Sequence, residues 1–233
     1  MGNQSLKRES IPSGVPELYQ VLSTVHVRQQ QHPHGSHADF HEVFHRIYIS
    51  GSLLPRNLKL LQELNIKHVL NMADGVASSQ WDDSTTRQGV ARLYADAGIT
   101  YRGIPANDYI GYDLRQHFDE AIQFIDQAIT DGHPNGCILV HCLQGFSRSP
   151  TIVVAYLMRR HGMTAAEALT TVRERRIVHP NYGFLKQLAD YDAELFNERQ
   201  QQQNNVKNDK QEKSASKNHT DHCVTDCIET VSG

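Results

Sequence analysis

"VHCLQGFSRSP", residues 140–150, is the stretch on which the reading of this chain turns. An oily run, Cys137-Ile138-Leu139-Val140, stops at a histidine and a cysteine. A short loop with one glycine follows, and Arg148-Ser149-Pro150 opens a second oily run. An apolar run without alternation predicts a strand covered on both faces. The run after Pro150 predicts a buried helix ending near Gly162.

In open α/β sheets, ligands bind just past the carboxyl ends of the strands. Residues Leu143, Gln144, Gly145, Phe146, Ser147 and Arg148 fill that gap. Their backbone N–H groups can turn inward as a nest, and the following helix adds partial positive charge. Gly145 permits a backbone angle that other residues disfavour. Such a cradle suits a tetrahedral dianion such as phosphate, and the same field lowers the pKa of a thiol at its centre. Cys142 is then the nucleophile. Arg148 supplies a planar fork for two phosphate oxygens, and Ser149 can donate to the sulfur when it leaves. His141 is expected to order the loop rather than act as a base, because a thiolate already formed needs none. Cys137, inside the strand, reads as a small buried hydrophobe. A Cys137–Cys142 redox pair is disfavoured, since side chains five residues apart on a strand point to opposite faces.

Outward from this stretch, strands are predicted at "RIYIS" (46–50), "KHVLNM" (67–72) and "ITYRGIPA" (99–106), besides "CILVH" (137–141). Helices are predicted at 57–64, through Ala91 to Ala95 after a loop-like 78–89, and at 113–130, where Phe118, Ala121, Ile122, Ile125, Ala128 and Ile129 share one face. Two more follow at 164–176, opened by a Thr164/Glu167 capping box, and at 184–196, with Phe184, Leu188, Tyr191 and Leu195 on one stripe. Strands alternating with helices predict an α/β fold, a mostly parallel central sheet flanked by helices on both faces.

The flanks differ in composition. Residues 1–14 read as a flexible start, 15–42 as a short helix (16–25) and a polar connector, 43–199 as the folded domain, and 200–233 as a disordered Gln/Asn/Lys-rich tail. Five irregularly spaced histidines between His26 and His41 suit a solvated loop better than a metal site. His219, His222, Cys223 and Cys227 in the tail match no common zinc spacing. No metal or cofactor is expected.

The 233 residues are 39% apolar with a net charge of −3, a pI near 6.5 and a mean hydropathy of −0.53. That balance gives no support for a nucleic-acid or membrane-surface partner, so anion recognition must be local. The four cysteines form no disulfide framework, no apolar leader opens the chain, and Ile152–Met158 is too short to span a bilayer. A reducing compartment, cytosol or nucleus, is expected. Gly2 meets one requirement for myristoylation, but Leu6 stands where Ser or Thr is wanted, so an unmodified start is expected.

Cleaving a phosphate ester also needs a proton for the leaving oxygen. "GIPANDYIGYDL" (103–114) offers Asp108 and Asp113, and Asp113 sits where a helix N-cap is expected.

The run from His141 to Ser149 resembles the His-Cys-x5-Arg-Ser/Thr signature of the cysteine-dependent protein tyrosine phosphatases. "IKHVLN", "SRSPT", "AYLM" and "PNYGFLKQL" extend the likeness over Val43 to Asn197, to the small atypical dual-specificity phosphatases of the vaccinia-H1-related group. The 43 residues ahead are too few for a kinase-docking rhodanese-like domain. The resemblance implies a protein phosphatase working through a phosphocysteine. It implies Asp108 as the acid, since that branch carries "AND" or "AxD" about thirty residues before its cysteine, and Asn181 as a supporting residue. It implies that Arg176 adds positive charge beside the pocket for a second phosphate or an acidic flank. It implies phosphorylated proteins as partners, mitogen-activated protein kinases among them. The neutral loop from Leu143 to Ser147 favours phosphoprotein over polyphosphorylated lipid or RNA. Leu143 and Gln144 replace a charged pair of the relatives, and Phe146 replaces their tyrosine. A catalytically dead phosphoprotein-binding module is disfavoured, because cysteine, arginine and acid are all present.

Overall fold

The computed structural model describes residues 12–27, 39–75, 84–130 and 135–225. Its framework is a five-stranded sheet of β1 (Phe40–Phe44), β2 (Ile47–Ser50), β3 (Ile66–Asn71), β4 (Thr100–Gly103) and β5 (Cys137–His141), in the order β1-β2-β5-β3-β4. β1 pairs antiparallel with β2, and every other pairing is parallel. β5 is therefore central and buried along its whole length, which is why its sequence does not alternate.

Around the sheet lie α1 (Val15–Thr24), α2 (Leu58–Glu63), α3 (Ser84–Asp96), α4 (Phe118–Thr130), α5 (Arg148–His161), α6 (Ala165–Arg173) and α7 (Tyr182–Thr225). One core cluster joins Leu61 of α2 and Tyr94 of α3 to Val69, Cys137 and Leu139. Alternation sends Ile138 and Val140 to the other face of β5, and α4 and α5 also pack on that strand. The predicted apolar face of α4 is buried at Phe118, Ala121, Ile122, Ile125 and Ala128. Gly162 ends α5 in the left-handed region, and the Thr164/Glu167 capping box opens α6 as expected.

Five sequence expectations need correction. First, β1 occupies the end of the expected connector. Its pairing with β2 slips between Glu42 and Phe44, so Phe40 and Val43 are the buried residues and a period of two is not legible. Second, α1 is no separate element. It packs on α6, and Arg173 donates to the carbonyls of Leu22 and Val25 at 3.2 and 3.3 Å. Beside it, buried Asp192 accepts the N–H groups of Ser13 and Ala165, both at 2.8 Å, so one carboxylate caps α6 and anchors the N-terminal segment.

Third, α3 begins at Ser84, inside the expected loop; the polar run 84–89 has no apolar periodicity by which the sequence could reveal a helix. Fourth, the stretch predicted as a helix from residue 113 opens as a 3-10 turn, Arg115–His117, with no side-chain cap; Asp113 caps nothing.

Fifth, the tail expected to be disordered is helical through Thr225. The chain divides into two units, residues 1–193 and 194–233, and the second is helix over its described residues. Its Gln, Lys, Glu and Ala residues favour helix. Continuing a helix already formed avoids the cost of a new nucleus, a gain that a burial-based expectation of disorder omits. His219, His222 and Cys223 fall on this helix, and Cys227 lies outside the described residues.

Candidate active site

The site is built at the carboxyl end of β5, where the strand passes into α5 through Cys142–Ser147. Here the carbonyls of successive residues are held from outside the loop. That of Leu143 accepts the Ser52 N–H at 2.9 Å, and that of Phe146 accepts the His179 N–H at 2.7 Å. Those of Gln144 and Gly145 accept from the Arg176 guanidinium at 3.0 and 2.9 Å. The Ser147 carbonyl accepts the Thr151 N–H at 3.1 Å and its hydroxyl at 2.7 Å. With the oxygens drawn outward, amides turn inward, and those of Phe146 and Ser149 hydrogen-bond the Cys142 sulfur. Gly145 makes the turn possible. Its φ is +64°, and a Cβ there would overlap the Ser50 carbonyl and the Arg176 guanidinium.

Cys142 lies on the floor of a cleft of about 440 Å³, also lined by Asn107, Asp108, Tyr109, Leu143, Gln144, Phe146, Ser147 and Arg148. Burial alone would push its thiol up. The charge of Arg148, the Ser149 hydroxyl at 3.3 Å and the two amides outweigh burial, and the thiol sits below its ordinary range. The neighbouring His141 is pushed down to about 4, chiefly by burial and further by Arg148, against a 3.4 Å contact with the Cys142 carbonyl. A ring so weakly basic is a poor proton acceptor near neutral pH, which suits an ordering role better than that of a base. Cys137 and Cys142 are both free thiols.

Arg148 is 3% exposed. Its Nη1 donates to the Ala106 carbonyl at 2.9 Å, and its Nε lies 3.5 Å from Oδ2 of Asp108. The other oxygen of that carboxylate accepts the Ser147 hydroxyl at 2.8 Å and the Asn181 amide at 2.9 Å. Asn181 in turn accepts the Phe184 N–H at 3.1 Å, capping α7, and donates its own N–H to the Ser147 hydroxyl at 3.3 Å. Sequence reasoning placed Cys142, Arg148, Asp108, Ser149, His141 and Asn181 at one site, and the structure brings all six together. Asp113 is exposed and is not among the residues lining the cleft.

Arg176 departs from its expected role. Its side chain is 7% exposed and forms an ion pair with Asp39 at 2.6 Å. Beyond its two loop carbonyls it also meets His41 at 3.2 Å. A guanidinium so occupied is a strut beneath the loop, not a free charge at the pocket edge. Its partners were missed because Asp39 and His41 belong to the apparent connector, 135 or more residues away, with no local pattern to single them out. His179, stacked on Phe146 with ring centroids 6.0 Å apart, was missed for the same reason.

Comparison with known proteins bears on the same residues. The dual specificity phosphatase catalytic domain matches residues 47–194. Dual specificity protein phosphatase 26 of Homo sapiens is 39% identical over 160 residues, 69% of each chain, and its Bos taurus counterpart matches to the same extent. Among solved structures, the human tyrosine phosphatase-like serine/threonine/tyrosine-interacting protein is 26% identical with a TM-score of 0.56, covering 66% of this chain and 95% of its own. Human DUSP28, at 23% identity, 68% and 95% coverage and a TM-score of 0.55, shares the fold. With the cysteine and arginine of the signature and the Asp108 carboxylate converging on one cleft, the chain belongs to the dual-specificity phosphatases, protein phosphatases of the cysteine-dependent protein tyrosine phosphatase superfamily and phosphoric monoester hydrolases, as one of their atypical members.

Proposed function

We propose that the protein hydrolyses phosphotyrosine and phosphoserine or phosphothreonine in proteins through a phosphocysteine on Cys142. The thiolate attacks phosphorus while the ester P–O bond breaks, and Asp108 gives its proton to the leaving oxygen. Arg148 and the inward amides hold the three equatorial oxygens. Water then attacks phosphorus, Asp108 takes its proton back, and the P–S bond breaks with the Ser149 hydroxyl donating to the departing sulfur.

The observation that carries this reading is the convergence of a lowered thiol, a buried arginine and a carboxylate on one cleft. Phosphorylated proteins are the partners, with mitogen-activated protein kinases the class to test first on the strength of the family resemblance. Two free thiols support a reducing compartment, cytosol or nucleus. Acid quenching during turnover of a ³²P-labelled phosphopeptide should leave label on the protein, and Cys142→Ser should abolish both label and turnover. Label retained by Cys142→Ser would refute the assignment. An Asp108→Ala protein should retain phosphoprotein substrates from lysate, which mass spectrometry would identify.

A further inference from the structure

The large apolar side chains exposed among the described residues are not scattered. They are Tyr19, Leu53, Leu93, Tyr109, Ile110, Phe146, Ile177 and Tyr182, and all but Leu93 belong to segments that bear on the cleft. Tyr109 and Phe146 line it. Ile110 follows Tyr109, and its carbonyl packs so tightly on Gly183 that a Cβ there would overlap it. That brings Tyr182, which stacks on Tyr19 at 6.1 Å, beside the Asp108 loop. Leu53 adjoins Ser52, whose N–H holds Leu143, and Ile177 adjoins the strut Arg176. Ile110 is 64% and Leu53 71% exposed. Exposed apolar residues gathered around a polar centre mark an interaction surface.

The charge on the same rim is sparse. Among the described residues, Arg148 is the only lysine or arginine lining the cleft, and the phosphate would use it. Arg176 is neutralised by Asp39 and committed to loop carbonyls. Among the described residues, a second phosphate or an acidic neighbour would therefore meet no free cation in the cleft wall, and would face Asp108.

We propose that this rim receives a phosphorylated protein segment with apolar side chains on both sides of the phosphorylated residue, and engages one phosphate at a time. The proposal rests on the phosphatase reading above and names its substrate class. Tyr109 and Ile110 receive one flank and Leu53 the other, while continuity with the catalytic cleft sets the register. On a doubly phosphorylated segment, the second phosphate contributes nothing to binding.

The test is kcat/KM on phosphotyrosine peptides of equal length flanked by Leu or Ile, flanked by Glu, or carrying a second phosphate, each relative to p-nitrophenyl phosphate. Partial burial of two apolar side chains should favour the apolar-flanked peptide about tenfold over the Glu-flanked one, with no gain from a second phosphate. Ile110→Ser and Leu53→Ser, both at exposed positions where substitution is tolerated, should each lower the apolar-peptide to p-nitrophenyl phosphate ratio roughly threefold. A preference for acidic flanks or for two phosphates, or ratios unmoved by both variants, would overturn the proposal while leaving the phosphatase reading intact. Turnover of p-nitrophenyl phosphate with none of any phosphopeptide would overturn both. A dimer in sedimentation that Ile110→Ser dissociates would assign the rim to a second copy of the chain and overturn the proposal.

Discussion

The side-chain amide of Asn181 donates to Oδ1 of Asp108 at 2.9 Å across 73 residues of sequence. The Ser147 hydroxyl reaches the same oxygen at 2.8 Å. The Asp108 carboxylate is thus held by the Cys142–Ser147 loop on one side and by the start of α7 on the other, so its aim depends on both. Asp108→Asn should slow turnover of alkyl phosphates about 100-fold, the usual scale of lost proton donation, and slow p-nitrophenyl phosphate much less because its leaving group needs little help. Asn181→Ser keeps an acceptor for the Phe184 N–H and should show the same leaving-group dependence at roughly tenfold. Equal losses on both substrates would show that Asn181 does not act through Asp108, and Asp113→Asn should change neither rate.

Arg176 is tied to two loop carbonyls and to Asp39, and a supporting role and a substrate-reading role lead to different outcomes. Arg176→Met removes two charged hydrogen bonds to loop carbonyls, each worth about 1.5–3 kcal/mol. Turnover should fall by the same factor on singly and doubly phosphorylated peptides. Alkylation of Cys142 by iodoacetamide should need a higher pH, because a slackened loop holds the thiolate less well. A loss confined to doubly phosphorylated peptides would restore Arg176 to the pocket.

Gly145 is constrained twice, by a φ of +64° and by the Ser50 carbonyl beside it. Gly145→Ala should cost about 1–3 kcal/mol of stability through backbone strain alone, and reduce oxyanion affinity by displacing the Phe146 amide. Calorimetry and vanadate inhibition measure the two effects. Full vanadate affinity in a folded Gly145→Ala protein would show that the loop turns without this angle.

His141 gives a pH signature. Burial lowers its pKa from 6.5 to about 4, so between those values the unfolded chain binds a proton that the folded chain refuses. Stability must then fall as pH falls from about 6.5 toward 4, by roughly 2 kcal/mol between pH 7 and pH 5. Urea unfolding of His141→Gln should lack that part of the loss. Parallel pH profiles for the two proteins would place the ring's pKa near its ordinary value.

Much of this was legible in the sequence because it is local. Strand β5, the turn at Gly145, the start of α5 and the capping box of α6 each draw on neighbours within a few residues, and the one-dimensional order records them directly. Cys142, Arg148 and Ser149 belong to the same class, all within eight consecutive residues. The pairing of β1, broken by a slip in register, and the helical tail, where propagation outweighs composition, were not legible in that way.

Only the tertiary structure could decide what Arg176 and Asp39 are for. Their spacing of 137 residues carries no pattern, and a guanidinium at the end of α6 is equally compatible with a solvated charge, a substrate contact or a buried strut. The choice depends on which carbonyls and which carboxylate surround it once the chain has folded. It is these distant partners, acting on the backward-facing oxygens of residues 143–146, that turn a suggestive loop into an oriented anion seat.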